Sequence, residues 1–535
     1  MSQPQGISGA FLRAPVRLPR MPIPLWLAAI AMAAAAALLP GLWSLAGLAA
    51  VVACVLMVLR PEIAIYLLTL SVPLGSSVID EREANSFSVT PTEAIFALLV
   101  LGWGLRAMAR RRLVVPFTPM TLPLLAVIGV VAMSGFHATN LALTLKETLK
   151  WLELIMVYFF IVAEMRTRRR ALAIVLMLLT GATIEALLGT GQFVLGIGPE
   201  FFAIGRFMRA YGTFDQPNPY AGYLGMLIPL AVGLLLSRPS PKVRNYAIVA
   251  LAAAATGVIV SLSRGAWVGI GIGFSLMMLF WSRRTRVLLS IGVIASAPLG
   301  ALAFMNLLPP VITTRVAIAF DYFRFVDITQ VQLTSDNWAV IERMAHWEAA
   351  LGMIAAHPWF GVGAGNYPVV YKWYAVQGWP LSLGHAHNFY LNMAAETGIP
   401  GGFIYICFVL TALISTMVWL VRSGNLQKVA THTSLRLGHR AKSTNSVAAM
   451  DAGIDRSSVL FWRGILLGVL GALVASSLHN LFDNLFVHGM NVQLGMILAL
   501  GQLAADALFG SRSRVSPTDK KALPNHGTID EAEAS

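Results

Sequence analysis

The sequence predicts an all-α polytopic membrane protein with about 12–14 transmembrane helices and a large loop before the last helices. The 535 residues are 57% hydrophobic and only 12% charged, whereas soluble domains average about 25% charged residues. Apolar runs of about 17–25 residues recur along almost the whole chain, and each can cross the hydrocarbon core as a helix. Alternating strand patterns are absent from the sequence, and a backbone in lipid must satisfy its own hydrogen bonds, so helices are the expected spanning form.

The basic residues predict the topology. The formal net charge is +14, but the lysines and arginines lie in short clusters between apolar runs. The positive-inside rule explains this distribution better than nucleic-acid binding does, so no nucleic-acid partner is expected. With every cluster in the cytoplasm, both termini lie inside. The predicted spans are about 22–39, 41–59, 62–76, 93–108, 118–135, 146–164, 171–194, 218–236, 245–262, 265–282, 287–306, 388–420, 461–480 and 488–509.

This topology divides the chain into five parts. A cytoplasmic N-terminus (1–21) precedes a transmembrane bundle (22–306), and a large periplasmic loop (307–387) leads to the C-terminal transmembrane helices (388–510). A mobile cytoplasmic loop (422–459) interrupts those helices, and a cytoplasmic tail (511–535) follows them. The arginines before the first span are typical of a cytoplasmic flank rather than a cleaved signal peptide. Cys54 and Cys407 both lie in apolar runs, so a disulfide or thiolate metal site is not expected.

Charged residues at the outward membrane edge are functional candidates because they are costly there. Arg206 and Arg209 precede the turn at 212–220, and they either snorkel to the interface or bind an anion. Arg264 lies in the very short turn Ser-Arg-Gly-Ala-Trp at 263–267, where it breaks the positive-inside trend. A guanidinium offers a planar fork suited to phosphate oxygens, although capping or pairing within the core would also explain it.

Two further segments carry histidines at the outward edge. His387 lies where the long loop enters the membrane, and an imidazole titrating near neutrality suits a general base. The bland alternative is a hydrogen-bonded interfacial histidine. A metal pair with His385 is conceivable, but the two-residue spacing is poor and no carboxylate cluster adjoins it. His479 and Asp483 end a late span, where Asp483 either orients a histidine or arginine or simply caps a turn.

Three stretches together resemble the O-antigen ligase and polymerase superfamily. They are Arg-Ala-Tyr-Gly-Thr-Phe-Asp-Gln-Pro-Asn at 209–218, the turn at 263–267, and the block His387-Asn388, nine residues, Gly398, two residues, Gly401. The segment His-Pro-Trp-Phe-Gly-Val-Gly-Ala-Gly-Asn at 357–366 is similar to part of the family's large periplasmic loop. A family motif of arginine followed by leucine four residues later is not met at either Arg206 or Arg209.

The resemblance implies a metal-independent, inverting glycosyltransferase at the periplasmic face of the bacterial inner membrane. Its donor would be a glycan on undecaprenyl diphosphate, and its acceptor would be lipid A-core or another glycan. His387 would be the base, and Arg209 and Arg264, with Arg206 as a competitor, would bind the diphosphate. Asn388, Asp483, His479 and Asn218 are possible supporting residues, and neither a metal nor another cofactor is expected.

Three other functions remain open at this point. An O-antigen or exopolysaccharide polymerase would share every motif above. A small-anion transporter would favour internal repeats with matching broken helices, and the two halves show no clear self-similarity. A metal-dependent glycosyltransferase would need carboxylates in an early outward loop, where Asp80, Glu81 and Glu83 are the only candidates and are better explained as a solvated loop.

Overall fold

A computed structural model describes residues 30–32, 34, 42–74, 90–304, 330–334, 337–440 and 456–510. Several predicted features therefore lie outside the described residues: nearly all of the first span, the acidic segment at 80–83, residues 305–329 of the long loop, and both tails. The described chain separates into two compact units, one of residues 1–67 and 93–113 and the other of residues 68–92 and 114–535.

The described secondary structure is almost entirely helical, as predicted. The helices are α1 (Leu42–Leu59), α2 (Pro61–Leu74), α3 (Pro91–Ala109), α4 (Thr121–Met133), α5 (Leu141–Glu164), α6 (Arg168–Leu195), α7 (Pro217–Leu236), α8 (Pro241–Val260), α9 (Arg264–Trp281), α10 (Arg283–Phe304), α11 (Trp338–Ala356), α12 (Tyr367–Val370), α13 (Phe389–Arg440), α14 (Arg456–His479) and α15 (Met490–Phe509). Short 3₁₀ turns lie at Ser134–His137, Glu200–Phe202 and Tyr371–Trp373. The described strands, β1 (Ala203–Ile204) and β2 (Phe207–Met208), form one small antiparallel hairpin.

Length and composition confirm the predicted fold class of an all-α polytopic membrane protein. Among the described residues, eight helices are long and apolar enough to cross a membrane, and three shorter apolar helices accompany them. The eight include α6, α7, α8 and α9 before the long loop and α13, α14 and α15 after it. Helices thus occupy the apolar runs from which spans were predicted, to within a few residues at most ends.

The first unit contains a local ion pair between neighbouring helices. Arg106 donates to Glu62 at 2.9 Å and also to the carbonyl of Leu59, the last residue of α1, at 2.9 Å. The carbonyls at a helix C-terminus lack intrahelical donors, so the guanidinium satisfies one of them while it pairs with the carboxylate.

The second unit is built around α14, which is buried along nearly its full length. Glycines let neighbouring backbones approach it closely: a Cβ at Gly468 would lie 2.8 Å from the Cα of Leu230 on α7, and a Cβ at Gly273 on α9 would lie 2.8 Å from the Gly471 carbonyl. Small residues favour such packing in membrane proteins, where lipid is as apolar as the helix surfaces.

The helix α13 departs from the predicted boundaries in two places. It continues through residue 440, so the first part of the segment predicted as a mobile cytoplasmic loop (422–459) is helical. That stretch lacks proline and contains leucine, alanine, lysine and arginine, which are good helix formers. Residues 441–455 lie outside the described chain.

The second departure is a break in α13 at Gly398, where φ is 77° and ψ is 174°. This region of backbone space is accessible essentially only to glycine. A Cβ at this position would also collide with the backbone of the segment 357–366, since it would lie 2.8 Å from the nitrogen of Phe360. The glycine in the His387 block therefore allows the long loop to pack directly against the start of α13.

The segment 357–366 is hydrogen-bonded to two helices of the bundle, α5 and α13. Val362 N donates to the carbonyl of Ala395 at 3.0 Å, within α13. Asn366 accepts from the backbone nitrogen of Asn140 at 2.7 Å, and Thr144 on α5 donates to the carbonyl of Ala364 at 2.9 Å. Because these bonds tie the loop to α5 and α13, the residues that follow it are held at one end of the bundle, which we call the site end.

Candidate active site

A tight turn at the start of α13 places His387 in a strained backbone conformation. Its φ is +50°, a region that non-glycine residues occupy rarely and that is found preferentially at functional sites. The turn is held on both sides: Ala386 N donates to the side chain of Asn392 at 3.0 Å, and Phe389 N donates to the carbonyl of Asn480 at 2.8 Å. These hydrogen bonds thus hold His387 in a backbone conformation that a histidine rarely adopts.

Asn388 has a structural task in this turn. Its side-chain oxygen accepts hydrogen bonds from the backbone nitrogens of Tyr390 at 3.0 Å and Leu391 at 3.1 Å. These are unpaired donors in the first turn of α13, so Asn388 acts as an N-cap. Among the predicted supporting residues, it therefore caps the first turn of α13, which begins two residues after His387.

Asp483 lies beside His387, from which it is separated by almost a hundred residues in sequence. Its Oδ1 is 3.5 Å from His387 Nδ1 and 3.8 Å from His385 Nε2, and its side chain is 1% exposed. Burial alone would raise the pKa of Asp483, but contact with His387, the neighbouring His385 ring and the positive charge of Arg343 hold it well below its usual value. Asp483 is therefore ionised at neutral pH and favours a protonated nitrogen on the facing imidazole.

Both ring nitrogens of His385 face a neighbouring polar group. Its Nδ1 accepts a hydrogen bond from the backbone nitrogen of His387 at 3.1 Å, which leaves the proton of the neutral ring on Nε2, the atom that faces Asp483. Burial, followed by the nearby His387, lowers the pKa of His385 to about 3. His385 is consequently a neutral ring at neutral pH, with Nδ1 bonded to the backbone and Nε2 facing Asp483 at 3.8 Å.

His387 differs from His385 in its available nitrogens. Its side chain is buried, and neither ring nitrogen has a hydrogen-bond partner among the described residues. Nδ1 faces Asp483 at a distance slightly beyond an ordinary hydrogen bond. A proton on Nδ1 would be stabilised by the carboxylate, leaving the lone pair of Nε2 to accept another proton.

A short relay of polar side chains joins this pair to Arg209. Arg209 Nη2 donates to Asn218 Oδ1 at 3.0 Å, and Asn218 Nδ2 donates to Asp483 Oδ2 at 2.5 Å. The structure therefore brings together Arg209, Asn218, Asp483 and His387, all of which were predicted from separate stretches of sequence. Asn218 lies in the first turn of α7, and its two-sided amide is the connecting group.

Arg209 occupies an unusually positive environment. Its Nε donates to the carbonyl of Ser261 at 2.8 Å, just after the end of α8. Burial first, and then the like charges of Arg343 and Arg264, lower the pKa of Arg209 to about 10. The guanidinium stays charged at neutral pH; the Asp483 carboxylate offsets part of the repulsion among the arginines, and a bound anion would offset more of it.

Arg264 is the first residue of α9 and is exposed at the site end. The N-terminus of a helix presents backbone N–H groups and a partial positive charge, so a guanidinium at this position adds to an anion-attracting surface. The preceding Ser263 faces His479, with Oγ 3.4 Å from Nε2, which connects the predicted His479 to the Arg264 turn rather than to His387.

Arg206 lies at the tip of the β1–β2 hairpin, outside this cluster. Its guanidinium stacks over the ring of Phe207 at 5.0 Å from the centroid, and its side chain is exposed. Of the two arginines that competed for the diphosphate role, only Arg209 makes a described contact with the Asn218–Asp483 relay.

Sequence reasoning missed two residues on α11. Arg343 donates to the carbonyl of Phe482 at 3.1 Å, next to Asp483, and its charge acts on Arg209, Asp483 and His385. The ring of His346 packs edge-on against His387 with centroids 5.4 Å apart. No motif in the sequence marks either residue. A signal was nevertheless present, since both are polar residues on a helix-like stretch of the long loop.

The same carboxylate and histidines also have the geometry of a metal-binding group. His385, His387 and Asp483 each offer one ligand atom, and these atoms all lie within 4.8 Å of one another. Nitrogen and carboxylate donors of this kind suit Zn²⁺. This grouping uses Asp483 as the carboxylate that was not evident beside the two histidines in the sequence.

Part of the chain matches a known protein family. Residues 247–406 match the family model described as O-Antigen ligase. The matched segment contains Arg264, Arg343 and both histidines of the α13 turn, while Arg209 and Asp483 lie outside it. No curated protein matches the chain. The match supports the assignment of the chain to the O-antigen ligase superfamily.

Proposed function

We propose that the protein is a glycosyltransferase at the periplasmic face of the bacterial inner membrane. It transfers a glycan from undecaprenyl diphosphate to a sugar hydroxyl, with lipid A-core as the acceptor, and it does so without a metal ion. The observation that carries this proposal is the pairing of His387 with Asp483 next to a cluster of arginines. The family match supports glycan transfer of the ligase or polymerase type.

His387 is the general base in this proposal. Asp483 holds the Nδ1 proton and stabilises the imidazolium that forms, and Nε2 accepts the proton of the acceptor hydroxyl. His385 cannot readily do so because its Nδ1 accepts from the backbone and its Nε2 faces the carboxylate. Of the two adjacent histidines, only His387 therefore combines an orienting carboxylate with an unoccupied nitrogen among the described residues.

The arginines stabilise the leaving group. As the acceptor oxygen attacks the anomeric carbon, the bond from that carbon to the phosphate oxygen breaks and its electron pair stays on the diphosphate. Arg209 and Arg264 bind this growing negative charge, with Arg343 adding to the positive field. Hydrogen-bond donors that are held in place where water is partly excluded stabilise such charge strongly. Removal of one donor typically raises the activation free energy by about 2.7–4 kcal/mol.

A matched pair of histidine variants tests the proposal. His387→Ala should abolish glycan transfer in a reconstituted assay, whereas His357→Ala should not, because His357 follows α11 and lies outside the cluster. Membrane insertion and thermal stability are measured for both. Transfer at the wild-type rate by a correctly inserted His387→Ala protein would contradict the assignment of the base.

Complementation distinguishes the two branches of the family. We expect the gene to restore capped core in the lipopolysaccharide of a ligase-deficient strain. Restoration of a banding ladder only in a polymerase-deficient strain would instead identify the polymerase, for which His387 and the arginines would perform the same chemistry on a different acceptor.

The metal-like geometry of His385, His387 and Asp483 provides a specific second candidate, a metal-dependent transferase. A chelator in the transfer assay separates the two mechanisms. We expect no loss of activity, because in the proposed mechanism Nδ1 of His387, which faces Asp483, carries a proton and not a metal. Loss of transfer that returns on addition of Zn²⁺ would favour the metal-dependent mechanism.

A further inference from the structure

A large cavity opens beside the turn that carries His385 and His387. Its volume is about 800 Å³, which is within the range of sites that enclose a whole small ligand. The walls come from α5, the segment 199–219, the loop at 364–365, the turn at 383–393 and residues 484–491. The cavity therefore involves the same chain segments that carry the proposed catalytic residues.

The cavity extends to residues next to His387 and Asp483. His385 and Asn484 both line it, and they are respectively two residues before His387 and one residue after Asp483. A group bound in the cavity would consequently lie next to the His387–Asp483 pair, while the diphosphate-binding arginines approach Asp483 through Asn218.

The charge of the lining does not suit a polyanion. Glu147, Asp215 and Glu396 line the cavity, Lys150 is its only lysine among the described residues, and no arginine in the described part of the chain lines it. Lys150 is itself paired with Glu147 at 2.6 Å. The described lining therefore holds more carboxylates than lysines and arginines, and it offers no guanidinium to the oxygens of a diphosphate.

The remaining lining combines aromatic surfaces with amide side chains. Trp151, Phe201, Phe202 and Tyr211 contribute rings, and Asn392 and Asn484 contribute amides. Aromatic rings offer large apolar surfaces, and a few fixed polar groups provide orientation. A sugar ring matches both features, because its C–H faces can pack on the rings while its hydroxyls bond to amides and carboxylates.

We propose that this cavity binds the saccharide part of a substrate, so that sugar and diphosphate are recognised by different groups of residues near Asp483. The inference rests on the proposed glycan transfer. The saccharide could belong to the acceptor or to the donor glycan, and the two sources share the chemistry of neutral, hydroxyl-rich rings. The experiment below distinguishes them.

Protection of an introduced cysteine tests the cavity directly. Phe201 lines the cavity and is 76% exposed, so Phe201→Cys should fold and react with a polar maleimide. Phe136 is similarly exposed but lies outside the lining, and Phe136→Cys is the matched control. The wild type measures the background from Cys54 and Cys407, which are half-buried.

Three probes are compared with the full-length protein in lipid nanodiscs: lipid-free core oligosaccharide, undecaprenyl-diphosphate glycan, and undecaprenyl diphosphate without sugar. A saccharide probe at ten times its Kd should slow labelling of Phe201→Cys about tenfold and leave Phe136→Cys unchanged. Protection by the core oligosaccharide assigns the cavity to the acceptor, and protection by the donor glycan alone assigns it to the donor. Protection by sugar-free undecaprenyl diphosphate, or no protection by any probe, would overturn the proposal.

Kinetics provides a second measurement. Glu147→Gln should raise KM for the sugar-bearing substrate with little change in kcat, because it removes binding that is equal in ground and transition states. An unchanged KM for both substrates would count against the saccharide site. Because protection is measured without turnover, a protein that is protected by saccharide but transfers no glycan would refute the proposed function and leave the binding site in place.

Discussion

At the scale of single residues, Asp483 connects the two halves of the proposed site. One carboxylate oxygen faces His387 and His385, and the other accepts from Asn218, which in turn contacts Arg209. A buried carboxylate surrounded by histidines and arginines stays ionised and can orient several donors at once. Changes at this residue should therefore affect proton transfer more than they affect folding.

Asp483→Asn should lower kcat about 10²–10⁴-fold, because the neutral amide cannot stabilise an imidazolium on His387. Initial rates at saturating donor and acceptor measure the effect. Asp506→Asn is the matched control, since Asp506 bonds Gln502 near the opposite end of α15. Equal rates for the two variants would show that the Asp483 charge has no part in the reaction.

Arg209→Lys should reduce kcat/KM for the lipid-linked donor about 10²–10³-fold, because an ammonium lacks the bidentate fork that a diphosphate accepts. Arg264→Lys should behave similarly. The comparison is Arg206→Lys, which alters a guanidinium stacked on Phe207 outside the cluster and should stay near the wild-type rate. Comparable losses at positions 206 and 209 would remove the distinction that the geometry draws between them.

The individual residues differ in how well the sequence predicted them. His387, Arg209 and Arg264 were predicted because motif blocks or a broken topology rule marked them. Arg343 was not, since it lies on a helix of the long loop and becomes relevant only when that helix packs beside Phe482. Position in three dimensions, rather than local pattern, gives Arg343 its role.

At the scale of elements, α11 brings both Arg343 and His346 to the site. His346 is 1% exposed, its Nδ1 lies 3.1 Å from the hydroxyl of Tyr367, and its ring stacks on Tyr371 with centroids 4.7 Å apart. Burial, together with the charges of His387 and Arg343, lowers the pKa of His346 to about 4. The neutral ring is therefore part of the packing of the long loop.

Acidification should destabilise the protein through this residue. An unfolded chain takes up a proton at His346 near its ordinary pKa of 6.5, whereas the folded chain does so only near 4. The contribution of neutral His346 to the free energy of unfolding is therefore fully present above pH 6.5. It falls as the pH drops toward 4, by up to about 1.4 kcal/mol per pH unit for one proton.

Thermal unfolding of the detergent-solubilised wild type and His346→Gln between pH 6.5 and 4.5 measures this contribution. The variant should lose less stability over this range, because glutamine does not titrate there. If the melting temperatures of the two proteins fall equally with pH, His346 takes up no additional proton on unfolding.

Helix positions were predicted well from apolar runs, and the exceptions have physical causes. The break at Gly398 was not predicted as a break, because a glycine within an apolar run does not reveal its backbone angles. The sequence predicts a loop for the helical stretch at 422–440 because its serines, threonines and basic residues resemble a solvated segment. The composition of this stretch shows that it is polar, but it does not show whether it is helical. The residues there favour a helix, and they continue the apolar part of α13 without a break.

At the scale of the whole molecule, orientation in the membrane is a prediction of the basic clusters. Arg264 begins α9 at the site end, and Arg283 and Arg284 follow its other end. If the positive-inside rule holds, the site end faces the periplasm and residues 283–286 face the cytoplasm.

Cysteine accessibility measures this orientation. In right-side-out vesicles, a membrane-impermeant maleimide should label Leu381→Cys, whose native side chain is 77% exposed, and should not label Arg284→Cys until the membrane is permeabilised. The opposite pattern would place the site in the cytoplasm and exclude the proposed periplasmic acceptor.

The hydrogen bond from Asn218 to Asp483 joins residues 265 positions apart in sequence. During synthesis at the ribosome, the arginine side of the site would emerge and insert long before the carboxylate exists. The nascent protein would therefore hold an unbalanced group of positive charges, and His387 without its orienting partner, until the hairpin of α14 and α15 is inserted. Under the proposed mechanism, competence to react would thus be acquired in one late step of biogenesis.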